Sequence, residues 1–228
     1  MSSKYPPFPG KPPQTKKFIE QQHKVWDAIH NIELPIIIFI QKVFNVSQTI
    51  IFWDTVSRIG RAKPISLTPL ILFALGKYEK AKHLSKSLIF FSLLSSIGKL
   101  VMKRRRPGSY PEVYALCCSS SSSFPSRHMI GFTIVSYFFP FRWFFIILMM
   151  IDRIVTGLHY PSDCFFGYLL GEISLVMAKY IFDANLIVFL LFLAVIIWPN
   201  GGKILSGAFP IIIAPDVVIS KFTFPLIL

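Results

Sequence analysis

Residues 184–198 read ANLIVFLLFLAVIIW, and further apolar stretches occupy 34–53, 64–76, 84–102, 128–140, 143–158 and 162–182. A membrane span takes about 20 predominantly apolar residues, so a chain of 228 residues has room for roughly five to seven of them and for no second sizeable soluble domain. Composition agrees: 53% of the residues are hydrophobic and 15% charged, against roughly 25% charged in an ordinary soluble domain. The fold class expected is all-α, a polytopic membrane helix bundle of about six spans. Residues 1–33 form a polar, basic N-terminal tail that does not read as a cleavable signal peptide. Within it, Phe18, Ile19, Gln22, Trp26 and Ile29 share helical spacing, which predicts a short amphipathic helix over 18–33. Residues 34–200 make up the transmembrane domain, and 201–228 an apolar C-terminal tail broken by Pro210, Pro215 and Pro225.

Lysine and arginine number 24 against 11 acidic residues, a net charge of +13. Basic residues that flank spans and touch anionic head groups account for that balance. No zinc-finger, basic-zipper or RNA-reading pattern accompanies it, so membrane lipids and not nucleic acid are the expected partners. The three cysteines show no CxxC spacing and indicate neither a zinc site nor a disulfide scaffold.

Ionisable residues at the ends of spans are costly and tend to be functional. Three clusters stand out. Lys99 lies in the last turns of one span, and Arg106-Pro107 follows about two helical turns later; a positive-inside stop-transfer signal would look the same. Phe124-Pro125-Ser126-Arg127-His128 opens the next span, where free N–H groups and the helix dipole attract an anion; a serine-rich loop with a capping Ser is the plainer reading. In Asp152-Arg153-IVTGL-His159-Tyr-Pro-Ser-Asp163, a carboxylate four residues from a histidine can fix its tautomer; a capped hairpin between spans is again the alternative. Alternating spans bring all three clusters to one membrane face. Together they supply cations, a serine, two histidines and an aspartate, the parts of a phosphate cradle with a nucleophile and a general acid.

In these clusters the sequence resembles the type 2 phosphatidate phosphatases, the lipid phosphate phosphatase superfamily, whose pattern is K-x6-RP, PSGH and SR-x5-H-x3-D. The match runs over roughly residues 60–180. Two positions depart: Arg127 stands for the usual Gly and Asp152 for the usual Ser. Asp152 either pairs with Arg153 or softens that residue's hold on phosphate. The resemblance implies that His159 attacks phosphorus, Asp163 orients His159, and His128 protonates the leaving oxygen and then activates water. It further implies that Lys99, Arg106, Ser126, the Arg127 amide and Arg153 bind the phosphate oxygens. No Asp-rich magnesium motif is present, so no metal or other cofactor is expected. The basic KRRRP and the SFPS context are nearest the polyisoprenoid diphosphate phosphatase branch. The function implied is hydrolysis of a lipid phosphate or diphosphate monoester in an endomembrane such as the endoplasmic reticulum.

Two other functions compete. A lipid phosphotransferase of the sphingolipid-synthase kind shares the two histidines and the aspartate, but the intact K-x6-RP speaks against it. A catalytically inactive membrane scaffold is opposed by the presence of His128, His159 and Asp163 together. Outside the clusters, Glu172 is expected to face the bundle or pair with a cation. Trp26, Trp53, Trp143 and Trp198 are expected to anchor span ends at the interface, and His23, His30 and His83 to be exposed.

Overall fold

The computed structural model describes residues 25–116 and 121–180. Among them seven α-helices and one 3₁₀ turn form, with no strand: α1 (Val25–Val43), α2 (Val46–Ile59), α3 (Ala62–Ala74), α4 (Tyr78–Val101), the 3₁₀ turn Pro107–Ser109, α5 (Arg127–Ser136), α6 (Arg142–Val155) and α7 (Pro161–Tyr180). The all-helical class matches the expectation from sequence. The extreme N-terminal tail, the block 184–198 and the C-terminal tail lie outside the described residues.

From Val25 on, the helix read over 18–33 runs without a break into the stretch read over 34–53, because α1 continues through Pro35 to Val43; residues 18–24 lie outside the described residues. The interruption comes at Asn45, whose φ of 43° is left-handed; Asn tolerates that region better than most residues. The chain there turns by 99° between α1 and α2. One helix among the described residues, α4, has by itself the length and apolar character of a membrane span, and the bent α1–α2 pair has them jointly. Helix α5 stops at Ser136, short of the expected 128–140, and its ten residues reach about 15 Å, half of a hydrocarbon core.

Two large apolar cores among the described residues position the site, beside a smaller cluster of Val46, Trp53 and Val155. One joins Ile65, Leu72, Leu84, Leu88, Ile130 and Leu175, from α3, α4, α5 and α7. The other joins Ile37, Val56, Met129, Met149, Tyr160 and Cys164, from α1, α2, α5, α6 and the start of α7. The contact that matters most for the site is between α5 and α7. A Cβ on Gly167 would lie 2.9 Å from the Ser126 carbonyl, and one on Gly171 would lie 3.1 Å from the Ile130 carbonyl. This small-xxx-small pair lets the two backbones touch. The first turn of α7, with Asp163, is thereby placed beside the first turn of α5, where the Ser126 N–H donates to the Asp163 carbonyl at 3.2 Å.

Tryptophan placement differs from expectation. Trp26 and Trp53 are each only 4% exposed, and Trp26 packs on Phe124 with ring centroids 5.2 Å apart. Of the four, Trp143 is exposed and Trp198 lies outside the described residues. His30 and His83 are half-buried: His30 stacks on Tyr110 and reaches the Tyr160 hydroxyl at 3.2 Å. His23 is outside the described residues. Glu172 does pair with a cation, Arg142.

Candidate active site

Beyond α4 the chain forms a loop pinned across itself. The Ser122 hydroxyl accepts from the Arg104 N–H at 3.1 Å and meets the Met102 carbonyl at 2.9 Å, while the Ser123 N–H donates to the Arg104 carbonyl at 2.9 Å. Lys99, in the last turn of α4, donates from Nζ to the Ser122 carbonyl at 2.5 Å. The same loop is sewn to the α6–α7 turn: the Gly108 N–H donates to the Gly157 carbonyl at 2.9 Å and the Leu116 N–H to the Thr156 carbonyl at 3.0 Å. Gly157 has a φ of +64°, and a Cβ there would lie 2.0 Å from the Tyr114 carbonyl oxygen. Only glycine permits this turn, and the turn presents His159.

Arg106 spans the seam. Its Nη1 donates to the Leu158 carbonyl at 2.9 Å and lies 3.4 Å from His159 Nε2. Its Nε and Nη2 donate to Ser121 O and Oγ at 3.2 and 3.1 Å. A guanidinium can only donate, so Nε2 is the accepting nitrogen and the imidazole proton sits on Nδ1. Nδ1 points to Asp163, 3.7 Å from Oδ2 and outside hydrogen-bond distance. Desolvation holds the His159 pKa down at about 3, against the opposing pull of Asp163. His159 is therefore a neutral imidazole with its lone pair directed at Arg106, which suits a nucleophile toward a phosphate bound by that guanidinium.

Asp163 is fully buried and saturated with donors. Oδ1 accepts from Arg104 Nη1 at 2.7 Å. Oδ2 accepts from the Tyr160 N–H at 3.0 Å and from the Ser123 hydroxyl. Ser126 caps α5, its Oγ accepting from the Met129 N–H at 3.5 Å. His128, one residue inside that helix, has its ring beside Gly60: a Cβ there would be 3.2 Å from Cδ2. His128 lies in electrostatic reach of Arg153, His159 and Arg106, and Lys99 in reach of Arg106, Arg127 and Asp163. The structure thus gathers the three sequence clusters at one end of the bundle.

Residues 81–187 match the family model described as PAP2 superfamily, so just under half of the chain is similar to that family. No curated protein and no solved structure gives a significant match. PAP2 proteins are generally phosphatases acting on phosphate esters, often those of lipids, and are often membrane-associated.

Against the PAP2 pattern, the two substituted positions have different consequences. Arg127 occupies the first turn of α5 without displacing the Ser126 cap. Asp152 engages the neighbouring cation: Arg153 Nε donates to Asp152 Oδ2 at 2.7 Å, and Nη2 contacts both Asp152 and Ser57. Ser57 in turn donates to Asp152 at 3.0 Å. Of the two possibilities left open by the sequence, pairing is the one observed. Arg153 is 1% exposed, and Asp152 and Ser57 are buried beside it.

Four residues at this site escaped sequence reasoning: Glu33, Ser57, Arg104 and Ser123. Glu33 and Ser57 belong to α1 and α2, outside the matched segment, and no local pattern marks them. Arg104 reads as one charge in a basic run. Ser123 reads as the end of a serine tract.

Proposed function

We propose that the chain is an integral membrane lipid phosphatase that hydrolyses a phosphate or diphosphate monoester through a phosphohistidine on His159, without a metal. The observation that carries this is the placement of His159 between Arg106 and Asp163, its Nε2 3.4 Å from Arg106 Nη1 and its Nδ1 3.7 Å from Asp163 Oδ2. His159 Nε2 attacks phosphorus, the bond from phosphorus to the ester oxygen breaks, and His128 donates a proton to the departing oxygen. In the second step His128 takes a proton from water, the water oxygen bonds to phosphorus, and the N–P bond breaks to release phosphate and neutral His159. Lys99, Arg106, Ser126, the Arg127 amide and Arg153 bind the non-bridging oxygens. Cations fixed in a water-poor site stabilise the transition-state charge that a metal would otherwise carry.

Two features support a lipid substrate in a bilayer. An apolar cavity of about 270 Å³ is lined by Ile59, Pro64, Ile65, Phe132, Phe139 and Phe145, among others. Its lining residue Ile59 precedes Gly60, where an added Cβ would lie 3.2 Å from the His128 ring, and its lining residue Phe132 follows His128 by one helical turn. A hydrocarbon tail there places its head group at the histidines. Second, α4 buries Ser85, Ser87, Ser92, Ser95 and Ser96 alongside Leu84, Leu88 and Phe91, while exposing Ile97, Leu100 and Val101. Small polar residues inside and large apolar ones outside are what lipid-facing helices show.

The test is phosphate release by the purified full chain in detergent with EDTA present, on farnesyl diphosphate, phosphatidate and a sphingoid phosphate, beside His159→Ala. Release that disappears in the variant, with an acid-labile phosphoryl-enzyme trapped in the wild type, is the expected result. A folded wild type that releases nothing, or a variant that keeps the rate, refutes the proposal.

A further inference from the structure

Arg104 is the most completely enclosed cation of the loop between α4 and α5, and it touches no position expected to hold phosphate. Its side chain is 1% exposed. Nη2 donates to Glu33 Oε2 at 2.5 Å, and Nη1 donates to both Asp163 Oδ1 and Ser162 Oγ at 2.7 Å. The flat guanidinium packs on two rings, its Cζ 4.3 Å from the Trp26 centroid and 3.8 Å from that of Tyr160. Glu33 reaches the same helix end from α1: Oε1 accepts the Ser162 N–H at 2.6 Å and Oε2 contacts the Ser162 hydroxyl at 3.0 Å. His30, one turn earlier on α1, touches the Tyr160 hydroxyl.

Three buried charges in one place, two carboxylates around one guanidinium, are a poor device for stability. Desolvating each ion costs several kcal/mol, and apolar side chains of the same volume generally hold a fold as well. What the arrangement does accomplish is geometric. A planar fork packed on two rings and bonded to Glu33, Ser162 and Asp163 is held in one orientation, and it engages Oδ1 of Asp163. Oδ2 is thereby turned toward the loop that carries His159, where it takes the Tyr160 N–H and lies 3.7 Å from His159 Nδ1. Without Arg104 the carboxylate is held from its Oδ2 side alone, by the Tyr160 N–H and the Ser123 hydroxyl, and Oδ1 loses the guanidinium that fixes its side of the group.

We infer that Arg104 and Glu33 are positioning residues of the phosphatase site: Glu33 holds Arg104, and Arg104 fixes the Asp163 carboxylate that faces His159 Nδ1 and, together with Arg106 at Nε2, sets the proton and ring orientation of His159. The inference rests on the phosphatase reading of His159 given above. It places α1, outside the matched family segment, in direct support of the nucleophile.

The experiment uses the full chain in detergent with three variants. Arg104→Lys keeps a charge but loses the fork, Glu33→Gln keeps the shape but loses a charge, and the double variant Arg104→Met/Glu33→Gln removes both charges at similar volume. With the substrate that the wild type turns over, kcat is expected to fall about 10- to 100-fold in the double variant, as for other outer-shell supports of a reactive histidine. KM stays within about threefold, because Arg104 and Glu33 touch no phosphate. Arg104→Lys recovers part of kcat. A second reading comes from ¹⁵N-histidine NMR, with the His159 signals identified by their loss in His159→Ala. The wild type shows Nδ1 protonated, and the double variant shows a mixture of tautomers. A folded double variant with wild-type kcat and an unaltered His159 tautomer overturns the inference. If the wild type releases no phosphate from any substrate, the phosphatase reading fails on its own, and the NMR comparison still decides whether Arg104 sets the His159 tautomer.

Discussion

Two glycines with nearly the same backbone angle should respond very differently to one added methyl group. Gly157 has φ +64° and Gly76 has φ +71°, so alanine at either pays for a left-handed conformation, about 1–2 kcal/mol. At Gly76 nothing lies within 4 Å of the new Cβ, and the cost ends there. At Gly157 the Cβ meets the Tyr114 carbonyl oxygen at 2.0 Å. That carbonyl cannot simply retreat, because Gln41 brackets its residue: Gln41 Nε2 donates to Tyr114 O at 2.8 Å, and the Tyr114 N–H donates to Gln41 Oε1 at 3.0 Å. Moving it by more than an ångström gives up one or two such bonds, each about 1 kcal/mol net and more if a buried partner is stranded. Gly157→Ala is therefore expected to cost about 3–5 kcal/mol and Gly76→Ala about 1–2 kcal/mol. For a chain of this size those costs lower the unfolding midpoint by roughly 10 °C and 4 °C respectively. Thermal unfolding in detergent, followed by near-ultraviolet circular dichroism, measures both. Gly157 lies two residues before His159 and its carbonyl holds Gly108, so the surviving folded Gly157→Ala protein should also lose about 100-fold in kcat/KM, the effect of misplacing a reactive group by an ångström. Equal destabilisation of the two variants, or full activity in Gly157→Ala, would refute the reasoning that this turn is fixed by steric contact and sets His159.

Other expectations follow from the same geometry. His159 is held neutral by burial with a pKa of about 3, below its ordinary unfolded value near 6.5, so its contribution is intact above pH 6.5 and is lost as pH falls toward 3. At pH 5 the loss is about 2 kcal/mol, and a His159→Asn variant should show a smaller drop in unfolding midpoint between pH 7 and pH 5; parallel drops would count against it. Asp152→Asn frees Arg153 from its carboxylate, so inorganic phosphate should inhibit the variant about tenfold more tightly, a difference of about 1.4 kcal/mol, while unfolding is eased by about 3–5 kcal/mol; an unchanged inhibition constant in folded protein contradicts this. Val135→Trp fills the apolar cavity and should depress kcat/KM for long-chain lipid phosphates at least about tenfold, leaving a short water-soluble phosphate ester unaffected. Loss on both substrates alike would separate the cavity from substrate binding.

What could be read from the sequence was what depends on short separations. His159 and Asp163 are one helical turn apart, Lys99 and Arg106 about two, and an N-terminal Ser-Arg-His is legible as a capped helix start. The helical class followed from apolar runs. What could not be read depends on distant parts of the chain meeting. Arg104 and Arg106 are indistinguishable in KRRRP, yet one faces Asp163 and Glu33, and the other His159. Glu33 sits in an otherwise ordinary amphipathic pattern and finds its partner 71 residues away. Trp26 carries the mark of an interfacial anchor and instead lies under Arg104. The break at Asn45 is a single backbone choice inside an apolar run, and periodicity does not register it.

The contact between Glu33 and the Ser162 N–H closes a loop of 129 residues, and that between His30 and Tyr160 one of 130. Contacts of such range form after the chain between them has been ordered. Glu33 and Arg104 are both synthesised before Asp163, which lies 59 residues beyond Arg104, so the pair precedes its second carboxylate along the growing chain. The arrival of the first turn of α7 is then both the last step of assembly and the moment at which His159 acquires its orientation, so a chain cut short before Asp163 never holds an aligned nucleophile.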